Sequence, residues 1–106
     1  MPSTKKPAHA KWATPPRRVD YTKGFLKDWA RLSRSGRYDL ERLKAVMLLL
    51  IAAEAPLGPE WLDHPLQGAW QGCRECHIGG DFLLIYRLAN DLIVFVRTGT
   101  HADLFE

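Results

Sequence analysis

Three short apolar segments in the second half of the chain, separated by turn residues, constrain its fold most strongly. They cover residues of about 70–77, 82–88 and 92–98. Gly79-Gly80 and Ala89-Asn90-Asp91 between them are short enough to be hairpin turns, so the three segments predict an antiparallel meander. The middle segment is apolar on both faces apart from Tyr86 and Arg87, a pattern typical of a central strand.

Two helical patterns precede these segments. From residue 22 to about 35 the apolar residues recur at helical spacing, and they are Phe25, Leu26, Trp29 and Leu32. Gly36 is expected to end this helix and Asp39 to cap the next. The second helix has a broad apolar face, formed by Leu40, Leu43, Val46, Met47, Leu50 and Ile51, and Pro56 and Pro59 are expected to terminate it. With a short edge strand at 17–21, the chain predicts an α+β domain of two N-terminal helices packed on a small, mainly antiparallel sheet.

The chain has 106 residues, a length that suits one domain with a single core. Residues 1–16 are rich in Pro, Ala, Lys and Thr, with Trp12 as their bulky apolar side chain. Such a composition buries too little apolar surface to offset the entropy of ordering, so we interpret 1–16 as a flexible basic extension. The folded domain is then expected over 17–106.

The net charge of +3 is unevenly distributed along the chain. Residues 1–19 contain five cations and no acid, 21–44 contain seven cations and three acids, and 54–106 contain three cations and eight acids. The body of the protein is therefore basic in its first half and acidic in its second. An acidic second half is unsuited to binding a free RNA chain.

The cysteine content favours a reducing, cytoplasmic environment. Cys73 and Cys76 are too few and too close in the chain for the disulfide framework of a small secreted domain. We also expect no membrane association, because no stretch reaches the roughly 20 apolar residues that span a bilayer. A secretory signal is not expected, since the polar start of the chain is not followed by an apolar segment.

Metal and covalent chemistry are both disfavoured by spacing. Cys73, Cys76 and His77, with His64 or His101, are ligand types that zinc prefers. Residues three apart on a strand point to opposite faces, however, so the two cysteines are not expected to share a metal. We expect no metal or other cofactor and interpret each cysteine as a small buried hydrophobic residue. Cys76 and His77 face apart as strand neighbours, which argues against a cysteine nucleophile.

Three of the four histidines, His64, His77 and His101, lie in the second half of the chain. Imidazole both takes and gives a proton near neutral pH. Cleavage of RNA without a metal needs a base for the 2'-hydroxyl, positive charge for the phosphorane and an acid for the leaving 5'-oxygen. Arg97 either supplies that charge or forms a salt bridge within the sheet. Phe82 and Phe105 each either stack an RNA base or pack in the core.

Three blocks of sequence follow one another in order, at 63–72, at 74–77 with 81–86, and at 97–105. These blocks resemble the YafQ toxins of the RelE/ParE superfamily, which belong to bacterial type II toxin-antitoxin systems, and a weaker likeness around them extends from about residue 17 to the end. The resemblance implies a RelE/ParE-like fold and a ribosome-dependent endoribonuclease, an mRNA interferase that cuts mRNA in the decoding site and arrests translation and growth. It also implies a cognate acidic antitoxin that holds the toxin inactive in a hetero-oligomer.

The same resemblance implies site residues. The positions that match the family's active site are His64, Glu75, His77, Asp81, His101 and Phe105. His101 matches the main proton-transfer group and Arg97 a phosphate-stabilising position. Two positions depart from the family pattern: Glu75 stands where an aspartate is usual, and Phe82 where a tryptophan occurs. The longer carboxylate makes a role for Glu75 as base less secure, and Phe82 keeps a stacking face without the indole donor.

Four cations lie opposite the apolar residues of the first helix, and we name them the cationic stripe: Lys23, Lys27, Arg31 and Arg34. We interpret this stripe as a surface that docks on ribosomal RNA and brings the acidic half to an mRNA already held there. Two alternative functions are a gyrase-poisoning toxin of the same superfamily, which lacks nuclease residues, and a catalytically decayed module that only binds antitoxin.

Overall fold

A computed structural model describes residues 15–106 as one five-stranded mixed sheet with three helices. The strands are β1 (Arg18–Tyr21), β2 (His64–Pro65), β3 (Arg74–Gly79), β4 (Phe82–Ala89) and β5 (Leu92–Gly99). The helices are α1 (Lys23–Ser35), α2 (Leu40–Ala52) and α3 (His101–Phe105). The order in the sheet is β1-β5-β4-β3-β2, with β1 parallel to β5 and the other pairs antiparallel. The predicted α+β class, edge strand and central β4 are confirmed.

The helix ends follow from their capping residues. Thr22 caps α1 through a 3.0 Å hydrogen bond from the Phe25 backbone N–H to its hydroxyl, and Gly36 ends the helix with φ of 68°. Asp39 caps α2 as predicted. The prediction that Pro56 and Pro59 terminate α2 was wrong, because the helix already ends at Ala52, and Ala53 after it has a left-handed conformation.

The sheet has two different faces because β4 alternates its side chains between them. On one face, α1 and α2 cover a large core that contains Phe82, Leu84 and Tyr86 of β4. On the other face, Leu83 and Ile85 pack in a smaller cluster that α3 covers through Leu104. We call this second surface the open face.

Some side chains lie elsewhere than predicted. Leu26, expected on the core side of α1, is 53% exposed, whereas Asp28 is only 4% exposed. β3 begins at Arg74 instead of residue 70, because Gly68–Trp70 forms a 3-10 helix. Cys73 and Cys76 are free and buried in different clusters, which confirms their interpretation as small buried residues.

Two elements were not predicted: the two-residue strand β2 and the terminal helix α3. The proposed extension 1–16 lies almost entirely outside the described residues. No helix within residues 15–106 is long and apolar enough to cross a bilayer.

Candidate active site

One row of residues runs across the open face from the β2 edge to β5. His64 pairs with Glu75, Glu75 with Ile85, and Ile85 with Arg97. Paired residues on neighbouring strands project to the same face, so His64, Glu75 and Arg97 start from it, although the Arg97 guanidinium reaches Asp28 of α1. The register of β4 and β5 shifts after Ile85, which leaves Val96 without a partner and sets Arg97 opposite Ile85. The row places a histidine, a carboxylate and an arginine on one surface.

Two histidines converge on the carboxylate of Glu75. Oε2 of Glu75 lies 3.3 Å from Nε2 of His64 and 3.5 Å from Nε2 of His77. Nδ1 of His64 lies 2.7 Å from the carbonyl oxygen of Leu62, which can only accept, so this nitrogen carries a proton. Nε2 is therefore the nitrogen of His64 that faces Glu75. The Glu75 carboxylate, itself only 4% exposed, lies close to both rings.

A polar network holds the loop that carries His64. Asp63 accepts a 2.6 Å hydrogen bond from the Tyr86 hydroxyl and forms a 3.2 Å ion pair with Arg74. Burial and the Asp63 carboxylate raise the pKa of Tyr86, so its hydroxyl remains a donor. Because Tyr86 belongs to the buried part of β4, Asp63 anchors His64 to the core.

His101 extends the row of rings toward α3. The ring centroid of His101 lies 6.5 Å from that of His77 and 5.6 Å from that of Phe105. The ring centroids of Phe105 and Trp70 are 5.9 Å apart. His64 and His77 are 5.9 Å apart. The structure therefore brings together the three histidines in a continuous line that ends at the 40% exposed Phe105.

Asp81, in the turn between β3 and β4, holds His101. Oδ1 of Asp81 lies 2.5 Å from Nδ1 of His101 and 3.3 Å from its backbone nitrogen. The hydrogen bond that His101 Nδ1 donates to Asp81 raises the pKa of His101 above its ordinary value, and the same bond lowers the pKa of Asp81. His101 is thus kept protonated to higher pH, with Nε2 free for chemistry.

The position of His101 depends on how α3 begins. Thr100 and Asp103 form a capping box, with each side chain bonded to the other's backbone N–H. Gly99 has φ of 153°, and a Cβ there would lie 2.8 Å from the Asp103 carboxylate. A glycine at 99 is therefore required for the capping box that fixes His101.

Phe82 does not join the histidines. It is 5% exposed and packs on the helix side of the sheet, with its ring centroid 5.2 Å from that of Tyr38. A buried ring has no free face for an RNA base, so the structure does not support the expected stacking role of Phe82. Phe105 keeps an accessible ring beside His101.

Arg97 is engaged by a buried partner. Its Nε and Nη2 donate to the two oxygens of Asp28 at 2.6 and 3.1 Å. The salt bridge considered from the sequence is thus present, although its partner lies on α1 instead of in the sheet. These bonds raise the pKa of Arg97 further, so the guanidinium keeps its charge.

All four residues of the cationic stripe are exposed, but they are not equivalent. Arg31 pairs with the buried Asp28 at 3.1 Å and with Asp103 at 3.4 Å. Reversal of the charge at Arg31 would place a second carboxylate beside a buried one, so Arg31 belongs partly to the fold. Lys23, Lys27 and Arg34 carry the solvent-facing charge of the stripe.

The Glu75 cluster also has donor atoms that suit a metal ion. One ligand atom from each of His64, Glu75 and His77 lies within 4.8 Å of the others. Imidazole nitrogen and carboxylate oxygen are zinc ligands, and three of them leave an open coordination position. The cysteines considered from the sequence do not take part: Cys76 is buried, and burial raises the pKa of its thiol to about 12.

Sequence reasoning missed several residues of this arrangement, namely Asp28, Asp63, Tyr86 and Trp70. Asp28 was not singled out from the helical pattern of α1. A mismatch with the helical pattern was its one signal, since Asp28 lies between Phe25 and Leu32 along the core side.

Sequence comparisons agree over the same part of the chain. A family described as the bacterial toxin of type II toxin-antitoxin system, YafQ, matches residues 17–106. The mRNA interferase toxin YafQ of Escherichia coli is 44% identical over 89 residues, which cover 84% of this chain and 96% of that protein. A putative toxin YafQ of Haemophilus influenzae is 36% identical over 83% of this chain and 91% of its own length.

Solved structures show the same fold. YafQ from Escherichia coli superposes with a TM-score of 0.78 at 42% identity, over 85% of this chain and 99% of that one. The toxin of the Escherichia coli DinJ-YafQ complex gives 0.76 at 43% identity, over 85% and 99%. A metal-bound toxin from Helicobacter pylori gives 0.74 at 37% identity, over 84% and 99%. Together with the site geometry, these matches establish that the chain belongs to the YafQ family of bacterial toxins of type II toxin-antitoxin systems.

Proposed function

We propose that this protein is an mRNA interferase, an endoribonuclease that cuts mRNA on the ribosome by acid and base catalysis. The observation that carries the proposal is the line of three histidines joined to Glu75 and Asp81 on the open face. The similarity of this chain to the mRNA interferase toxin YafQ of Escherichia coli supports the same activity. Because the line of histidines is intact, it argues against a catalytically decayed module. It also argues against a gyrase poison, whose action needs no proton-transfer groups.

The geometry supports a role for each residue. His101, protonated through Asp81, gives a proton to the leaving 5'-oxygen. The Glu75 cluster with His64 and His77 takes the proton from the 2'-hydroxyl. Arg97 balances the charge of the phosphorane, and Phe105 stacks a base beside the scissile phosphate.

Induction in bacterial cells separates the three functions. We expect growth arrest with new mRNA 5' ends inside translated reading frames. DNA damage with intact mRNA would point to gyrase poisoning, and unimpaired growth at full expression would point to a module without activity.

The pH dependence of cleavage tests the role of His101. If the protonated ring is the acid, the rate is high below its pKa and falls as pH rises through it. Asp81→Asn removes the carboxylate that raises this pKa, so the alkaline limb of the rate profile should move to lower pH. Single-turnover rates from mildly acidic to mildly alkaline pH measure the shift. An alkaline limb that stays in place would remove His101 from the role of acid.

Metal chemistry gives a second test. We propose that catalysis proceeds without a metal and that zinc, bound by His64, Glu75 and His77, inhibits it by occupying the proton-transfer nitrogens. A toxin of the same fold from Helicobacter pylori is metal-bound, which supports the capacity of this fold to hold a metal ion. Protein treated with a chelator should keep full activity. Added zinc should inhibit the His64→Ala variant less than it inhibits the parent protein. Loss of activity on chelation with recovery on zinc addition would overturn this proposal.

We propose that Lys23, Lys27 and Arg34 dock on ribosomal RNA. Lys23→Glu with Lys27→Glu should weaken ribosome binding and lower the slope of log affinity against log salt by about two, one for each lost phosphate contact. Lys44→Glu with Arg87→Glu, two exposed cations outside the stripe, is the control of equal charge change. The stripe is only a solvated helix face if both double variants bind alike.

The partner and cellular setting follow from the family. Escherichia coli YafQ is seen in complex with DinJ, and we propose that an acidic antitoxin likewise binds this chain in a hetero-oligomer. We further propose that it acts in the bacterial cytoplasm and that 17–106 is the toxin domain.

A further inference from the structure

Asp28 is a charged residue in the core side of α1, and its carboxylate is satisfied by three neighbours. Oδ2 accepts from Arg97 Nε at 2.6 Å and from the Thr98 backbone N–H at 3.1 Å. Oδ1 accepts from Arg97 Nη2 and Arg31 Nη2, both at 3.1 Å. The three donors come from the last residues of β5 and from the next turn of α1.

A role in stability alone does not require this charge. Asp28 lies between the buried Phe25 and Leu32, where an apolar residue would pack on the same core. Replacement of a buried ion pair by apolar residues of similar volume is often neutral or stabilising, because both charges lose their hydration. A geometrical task for the carboxylate accounts better for its presence.

We consider the orientation of Arg97, the side chain that Asp28 binds, to be this geometrical task. Arg97 lies in the same row as His64 and Glu75, and β4 is the one strand between Arg97 on β5 and Glu75 on β3. At the usual strand spacing, the Cα atoms of Arg97 and Glu75 are about 10 Å apart. Asp28 engages two of the five N–H donors of the guanidinium, and the others remain for a phosphate. A bidentate grip also fixes the plane of the guanidinium.

The same carboxylate connects to the helix that carries His101. Arg31 bridges Asp28 to Asp103, at 3.1 and 3.4 Å. Asp103 is the capping residue that fixes the start of α3. Asp28 is therefore linked to both ends of the site on β5 and α3.

We propose that Asp28 is a positioning residue that orients Arg97 toward the scissile phosphate, an inference that rests on the role proposed for Arg97. Asp28→Asn keeps the shape of the side chain but loses its charge and one acceptor. We expect single-turnover cleavage on saturating ribosomes to slow by about 10²-fold, the usual effect of a catalytic group misplaced by about 1 Å. The ribosome concentration at half-maximal rate should stay the same. Asp91→Asn is the matched control, since it removes an exposed Arg18 partner at the other end of β5.

A double-mutant cycle with Arg97→Ala separates positioning from a general structural role. If Asp28 acts through Arg97, Asp28→Asn should lower the rate by less than about twofold in the Arg97→Ala background. A full additional loss there would overturn the inference. Arg97→Ala at the wild-type rate would refute the proposed role of Arg97 itself and the inference with it. A slow Arg97→Ala with a normal Asp28→Asn would refute the inference alone.

Gly24→Ala tests the same point without removal of any polar group, and so does not depend on the folding of Asp28→Asn. A Cβ at Gly24 would lie 2.9 Å from Cδ of Arg97, whose guanidinium is held at its far end. Asp28 keeps its bonds from the Thr98 backbone and from Arg31, so the protein should still fold. We expect slower cleavage by a folded protein, with folding checked by a cooperative melting transition. Cleavage at the wild-type rate, with Arg97 shown to be displaced by NMR, would contradict the inference.

Discussion

His101→Ala is expected to slow mRNA cleavage by about 10²- to 10⁴-fold, the usual contribution of a positioned acid or base. The ring is half exposed, and its hydrogen-bond partner Asp81 is also exposed, so little of the fold depends on it. The variant should therefore keep the melting temperature and the antitoxin affinity of the parent protein. Growth after induction and single-turnover cleavage on ribosomes measure the effect.

The matched control for His101 is His9→Ala, since His9 lies outside residues 17–106 matched by the family. It should cleave at the parental rate. Full growth arrest by His101→Ala at parental expression would show that another group supplies the proton.

Glu75→Gln is expected to slow cleavage by about 10²-fold, because the carboxylate is the common partner of His64 and His77. An amide cannot hold a proton for either ring. His64→Ala and His77→Ala should each be milder, since the other ring still contacts Glu75. Glu54→Gln, an exposed acid after α2, is the control.

The combination of Glu75→Gln with His77→Ala tests whether these residues act as a unit. We expect the double variant to be little slower than Glu75→Gln alone, because one proton-transfer group has already been lost. Multiplied losses would mean that Glu75 and His77 act in separate steps.

The sequence predicted the larger elements because their patterns span many residues. Periodicity in α1 and α2 and turn residues between β3, β4 and β5 specify both the layers and the antiparallel order. β2 has two residues and α3 has five, too few for any periodic pattern to emerge. These two elements carry His64 and His101, so the convergence of the histidines was available only from the family resemblance.

The faces of individual side chains were harder to predict than the elements. From Phe95, strict alternation would place Arg97 on the helix side, but the unpaired Val96 moves it to the open face. Asp28 was not singled out from the sequence, because its burial depends on Arg97, which is 69 residues away in the chain. The local sequence shows only a polar residue among apolar ones and does not identify its distant partner.

The central claim is that the histidine line cuts mRNA only when a ribosome presents it. The most direct measurement compares one radiolabelled mRNA, free and bound to programmed ribosomes with an empty decoding site, after addition of purified, chelator-treated protein without antitoxin. We predict rapid cleavage of the ribosome-bound mRNA at the decoding site, reduced to background by His101→Ala, and no cleavage of the free mRNA. Equal cleavage of free and bound mRNA, or an intact ribosome-bound mRNA, would contradict the account.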